Sequence, residues 1–179
     1  MNDTQLDGTV DAFMRRAVEA RSLVHEMRDW GEVAVLALGL AGDGRVAVSR
    51  PAAEAGPALI DALGGRVLAP GQVHGVTASA SVGVVRGALG IAETGSVLLV
   101  EERAEDRAVS MLSPVVIQVL HRDEVVSRLE ALLERVLLAP GGPPVFASLT
   151  TGPSRTADIE RALTIGVHGP REVHVVVLG

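Results

Sequence analysis

The chain of 179 residues contains no cysteine, no lysine and no tyrosine. Without a thiol it forms no disulfide, no thiolate zinc site, no iron–sulfur cluster of its own and no cysteine nucleophile. The sixteen basic residues are all arginine, which removes Schiff-base chemistry and the phosphate-binding loop that ends in lysine. Aromatic residues make up 2% of the chain, too few for a stacking platform that holds single-stranded nucleic acid. The formal net charge of −6, with arginines interspersed among Asp and Glu, argues further against a nucleic-acid partner. Long apolar runs are missing too. The longest, Val33 to Ala41, has nine residues, and Met1-Asn2-Asp3 opens no basic-then-apolar leader, so neither a membrane span nor a targeting signal is expected. A cytoplasmic protein is the default expectation.

Hydrophobic residues make up 47% of the sequence and the mean hydropathy is +0.34, a composition that suits one compact core. Leu6, Val10, Phe13, Met14, Ala17, Val18 and Val24 recur at helical spacing. Residues 1–30 are therefore expected to form an amphipathic helical arm, in one piece or two, that packs on the core and offers a surface for self-association. Residues 31–179 are expected to form a single α/β domain. Strands are expected at Val33–Leu40, Arg45–Ser49, Arg66–Ala69, Gly90–Ala92, Ser96–Val100, Val115–Leu120, Val145–Leu149 and Val173–Leu178. Helices are expected at Pro51–Leu63, Ala78–Leu89, Val125–Leu137 and from Ala157 to Thr164. Apolar strands that alternate with helices indicate a three-layer sandwich around a mostly parallel sheet. Ligands of such sheets bind beyond the carboxyl ends of the strands, which is where the turn after Val145–Leu149 is expected.

Three clusters carry candidate chemistry. In the first, Thr151-Gly152-Pro153-Ser154-Arg155-Thr156 leads from a strand into an expected helix whose first turn carries Asp158 and Glu160. Amide, hydroxyl and guanidinium donors gathered there suit a carboxylate or phosphate, and the same residues also suit ordinary capping. The second, Glu93-Thr94-Gly95-Ser96, sets a carboxylate and two hydroxyls between apolar strands, as a base, nucleophile or acceptor, or as a plain turn. In the third, Gly166-Val167-His168-Gly169-Pro170 holds His168 on a rigid loop, to orient a substrate, to move a proton or simply to meet solvent. His25, His74, His121 and His174 have no metal-ligand spacing, so no metal is expected. His174, inside an apolar strand, reads as a satisfied core or edge histidine. Glu101 to Arg107 reads as a solvated connection from which Arg107 alone turns inward.

Taken in chain order, Gly75-Val76-Thr77, then Ala92 to Val97, then Arg107 before Leu112 and Pro114, then Ser154 to Glu160 and last Gly166 to Pro170 resemble the lactate utilization protein C family, the LUD domain, over Val67 to Gly179. Ser96 stands where that family often has threonine, and Ser113 separates Leu112 from Pro114. The resemblance implies a sandwich similar to the sugar-phosphate isomerase and CoA-transferase superfamily. It also implies a part in oxidising L-lactate to pyruvate beside cysteine-rich and iron–sulfur partner subunits that hold the clusters, with no cofactor in this chain. On that reading the chain is an accessory subunit that binds a small carboxylate. Arg155 pairs with the carboxylate, Ser154 and Thr156 with its oxygens, and Glu93 and His168 approach the hydroxyl-bearing carbon. Thr94, Gly95, Ser96, Gly152 and Asp158 complete the candidate set. Two other readings stay open: an independent enzyme for a CoA thioester or sugar phosphate with Glu93 as nucleophile or base, and a structural adaptor without a small-molecule site.

Overall fold

A computed structural model describes residues 3–68, 79–132, 134, 136, 138, 146–156, 164–165 and 169–179. Helix α1 spans Asp3–Glu19, β1 Leu23–Met27, α2 Trp30–Ala41, β2 Arg45–Val48, α3 Arg50–Ala55, α4 Pro57–Leu63 and β3 Val67–Leu68. Strand β4 spans Ala80–Ile91, β5 Ser96–Val100, α5 Ala104–Leu112, β6 Val115–His121, β7 Val125–Val126, β8 Ala147–Thr150, β9 Arg155–Thr156, β10 Thr164–Ile165 and β11 Glu172–Leu178. Six strands pair in the order β1-β11-β6-β4-β2-β3, every neighbouring pair parallel.

The period-two alternation of β6 divides the molecule into layers. Val115, Ile117 and Val119 face a cluster built with Trp30, Val33, Ala34 and Ala37 of α2, Ala52 of α3 and Leu59 of α4. Val116 and Leu120 face the opposite cluster, which holds Val10 and Phe13 of α1 and Val109 of α5. The three-layer α/β sandwich with its N-terminal helix is thus the observed architecture. The second cluster also contains Val97 and Leu99 of β5. Strand β4 outruns the parallel sheet, and its last residues pair with β5, antiparallel, and with β7. β5 in turn pairs with β8, so a small sheet caps the α1 face.

The structure corrects several element assignments. The helical arm ends at Glu19, and Leu23–Met27 is an edge strand in register with β11. Val33–Leu40 is helical, because Asp29 caps the first turn by accepting from the Gly31 and Glu32 amides at 2.8 and 3.0 Å. Its buried positions, Trp30, Val33, Ala34, Ala37 and Ala41, keep helical spacing. The helix expected over Ala78–Leu89 is overturned from Ala80, where the central strand begins. Glycines keep that strand flat enough for close neighbours: a Cβ on Gly83 would meet Val109 O at 2.8 Å, and one on Gly87 would meet Val97 Cγ1 at 2.7 Å. Val125–Val126 is extended and paired with β4, and the helical turn after it covers Glu130–Leu132. Pro51–Leu63 is helical as expected, in two pieces that meet at Gly56. His174 is a satisfied core histidine. Its ring nitrogens lie 2.9 Å from His25 Nε2 and 2.8 Å from Glu172 Oε1, and its ring stacks on that of His25.

Two glycines of the candidate clusters fix the small sheet to α1. Gly95 and Gly152 both adopt φ of +69°, and a Cβ would lie 2.3 Å from Ala17 N at Gly95 and 2.0 Å from Ala20 O at Gly152. Left-handed backbone alone costs an alanine about 1–2 kcal/mol, and here the helix backbone must also move. Gly95→Ala and Gly152→Ala are expected to lower the unfolding free energy in urea by more than that amount. Gly42→Ala, at φ +55° but with open space around it, is expected to cost no more than the conformational penalty.

Candidate functional site

The described residues of the first and third clusters meet in one place. After β8, Gly152 and Pro153 turn the chain so that the Ser154 amide donates to Pro170 O at 2.9 Å. Pro170 stands just before β11, and the Arg171 amide donates to Pro114 O at 3.0 Å, just before β6. The turn therefore sits at the amino-terminal ends of these parallel strands. The expected position at their carboxyl edge is overturned, because β8 belongs to the small sheet folded over the α1 face and returns the chain toward the start of β11.

A cleft of about 360 Å³ opens there. Its floor is Gln118 of β6 and Val173 of β11, and one wall is Ser148, Thr150 and Thr151 with Gly152, Pro153 and Ser154. Gly169 and Pro170 close that side, while Glu101, Ser110, Met111 and Phe146 close the other. Hydroxyls organise the first wall. Ser96 Oγ lies 2.7 Å from Thr94 Oγ1 and 2.6 Å from Thr151 Oγ1. Gln118 Nε2 donates to Thr150 Oγ1 at 2.9 Å, and Thr150 Oγ1 donates to Val97 O at 3.1 Å.

Glu101, read from the sequence as solvated, is 3% exposed. Its amide extends the ladder beyond β5 by donating to Phe146 O at 3.2 Å, so period two points its side chain inward with Val97 and Leu99. Ser110 Oγ donates to Oε2 at 2.9 Å, and Oε1 is buried without a hydrogen-bond partner. Burial pushes the carboxyl up from 4.5 to about 7, helped by the charge of Asp106 and opposed by the Ser110 hydrogen bond and Arg107. Arg107 turns partly inward, as expected. Its Nη1 donates to the carbonyls of Glu101 and Glu102 at 3.0 and 3.1 Å, and its guanidinium lies 4.6 Å over the Phe146 ring.

The other candidates fall elsewhere. Glu93 is exposed at the tip of the β4–β5 turn, where Oε2 accepts from the Leu129 amide at 3.2 Å. It lines a separate, shallow depression of about 340 Å³ with Thr9, Arg15 and Arg16 of α1. Thr94 and Ser96 act within the hydroxyl chain. Arg155 and Thr156 are extended and pair with Ile165 and Thr164 in a separate two-stranded sheet, so a short strand stands where a helix start was expected. Asp158, Glu160 and His168, with residues 157–163 of the expected helix, lie outside the described residues, and Thr164 at its expected end is extended in β10. Two buried site residues escaped the sequence reading although each left a signal. Gln118 is the one amide in the apolar run Val115–Leu120, and Glu101 keeps phase with Val97 and Leu99.

The Glu101 shift has a definite sign. A carboxyl whose folded value lies above its unfolded value adds stability that is complete below about 4.5 and is lost as pH rises through about 7. His25 acts the opposite way: burial, reinforced by His174, lowers its value, so its share is lost as pH falls below about 6.5. The stability of the protein relative to Glu101→Gln is therefore expected to decline from about pH 5 to about pH 8, as read by urea denaturation. A difference independent of pH would contradict the assignment.

Known proteins are similar to this chain over different lengths. Residues 71–178 match the family model of the LUD domain. Lactate utilization protein C of Bacillus licheniformis is 31% identical over 102 residues, which is 55% of this chain and 42% of that protein. Uncharacterized protein YkgG of Escherichia coli K12 is 33% identical over 102 residues, 55% of this chain and 44% of that protein. The chain thus spans less than half the length of these relatives. The crystal structure of a DUF162 family protein from Deinococcus radiodurans superposes with a TM-score of 0.69 at 25% identity, covering 97% of this chain and 98% of that one. The matched segment holds β4 through β11 and every residue named in the cleft, and on that match the chain belongs to the LUD domain family.

Proposed function

We propose that this chain serves lactate utilization as an accessory subunit that binds a small carboxylate in the cleft between Ser154 and Glu101. The observation that carries the reading is the meeting of two motif turns, Gly152–Ser154 and Gly169–Pro170, across the Ser154–Pro170 hydrogen bond in a cleft. Gly152 is already accounted for by its packing on α1. Ser154, by contrast, lines the open space together with Ser148 and Thr150 of β8. Arg155 follows directly and supplies the cation that an anionic ligand requires at this end. The names of relatives such as that from Bacillus licheniformis point to lactate utilization.

On this reading, electron transfer belongs to partners. The chain has no cysteine, so iron–sulfur clusters with thiolate ligands reside in separate, cysteine-rich subunits. The work of this chain is to hold and orient the acid. Calorimetric titration of the purified chain with L-lactate and pyruvate tests the anion site. Arg155→Ala is expected to weaken binding by about 2–5 kcal/mol, the loss typical of a charge-assisted contact. Unchanged affinity in that variant would refute the anion site, and failure of the tagged chain to co-purify with iron–sulfur proteins from its native cells would refute the accessory role.

A further inference from the structure

One polar atom of the cleft is left unpaired by the protein itself. Glu101 is more than nine-tenths buried and lines the cleft, Ser110 occupies Oε2, and Oε1 has no partner among the described residues. Buried carboxyl oxygens are normally satisfied, and an orphan beside a cavity marks a place that a ligand fills. We infer that Glu101 receives the ligand through Oε1, and that the ligand carries a hydroxyl group at that end with its apolar body against Met111 and Phe146. The inference rests on the reading of this cleft as a ligand site and adds the group that selects what enters it.

The surroundings of Glu101 favour a hydroxyl over other groups. Arg107, the cation whose charge bears on Glu101, spends Nη1 on backbone carbonyls and lies over Phe146. Asp106 accepts from the Arg50 amide at 2.6 Å and adds negative charge nearby. Among the described residues that line the Glu101 end of the cleft, Ser110, Met111 and Phe146, none is cationic, and the charge of Arg107 beside it is opposed by that of Asp106, so a second anion is poorly compensated there. With its value near 7, the Glu101 carboxyl is present in both protonation states at neutrality. A carboxylate ligand bonds only the protonated state, and an ammonium, which has no acceptor, leaves the O–H of that state unanswered. An alcohol donates to one and accepts from the other, so it satisfies Oε1 in both. The terminal torsion of a carboxyl is broad, which lets the group turn toward a ligand without leaving its rotamer. A ligand so held lies with its alcohol at Glu101 and its acid group toward Ser154, the polarity of a hydroxy acid.

The test compares lactamide with propionamide, neutral molecules that differ by one hydroxyl, by calorimetric titration of the full chain. Lactamide is expected to bind at least about tenfold more tightly to the wild-type protein, since a site built to bond a hydroxyl discriminates against its absence. Glu101→Met, which removes the carboxyl at similar size, is expected to bring the two within about twofold, whereas Glu101→Gln, which keeps hydrogen-bonding groups and stays foldable, retains a preference for lactamide. Equal binding to the wild type, an unchanged preference in Glu101→Met, or no binding of either amide overturns the inference. L-lactate separates this inference from the carboxylate reading. Lactamide selected through Glu101 while L-lactate fails to bind contradicts the carboxylate reading alone. L-lactate bound with its advantage over propionate intact in Glu101→Met contradicts the role of Glu101 alone.

Discussion

The cleft depends on a steric constraint: the last turn of α1 occupies space that only glycine can leave open. Gly95 ends the β4–β5 turn and Gly152 follows β8, and both meet the backbone between Arg16 and Ala20 in left-handed conformation. These contacts press the small sheet onto the α1 face. With the sheet in place, Ser96 reaches Thr151 and Thr150 reaches Gln118, which aligns one wall of the cleft with the central sheet. Ser154 can then meet Pro170. The helix at the N-terminus thus bears on the site without lining the cleft.

Electrostatics sets the opposite wall. A carboxyl at the end of an apolar strand would ordinarily turn to water, yet the pairing of Glu101 with Phe146 continues the ladder and keeps its side chain inward. Ser110 offsets part of the burial, and Asp106 adds to the difficulty of ionising. A protein retains such an arrangement at a cost to stability, and functional sites are where groups of this kind concentrate. The rest of the lining is hydroxyls, one amide and apolar side chains. This combination suits a small polar ligand, oriented by a few bonds with apolar contact over most of its surface.

Much of the fold was legible because short, β-branched runs have few alternatives. Arg45–Val48, Val115–His121 and Glu172–Leu178 are bounded by turn residues and rich in valine, and all are strands. Continuous apolarity hid α2: Val33–Ala41 carries no period that separates helix from buried strand, and the decisive signal was Asp29 followed three residues later by Glu32. Small residues hid β4, whose glycines admit α5 and β5 at close range. At the site, Gly152–Ser154 and Gly169–Pro170 announced themselves through turn chemistry, and the structure brings them together. Glu93 announced itself equally well and lies elsewhere, since a turn motif does not say which cavity it faces. Glu101 stayed hidden because a carboxylate among Glu102, Glu105 and Asp106 looks solvated unless the phase of the preceding strand is carried past its end.

The central claim is that a small hydroxylated acid occupies the cleft between Ser154 and Glu101. A crystal structure of the protein soaked with L-lactate addresses it most directly. The account predicts difference density bounded by Glu101, Gln118 and Ser154, with the hydroxyl within hydrogen-bond distance of Oε1. Density at the exposed Glu93 turn instead, or an empty cleft at saturating lactate, would contradict it.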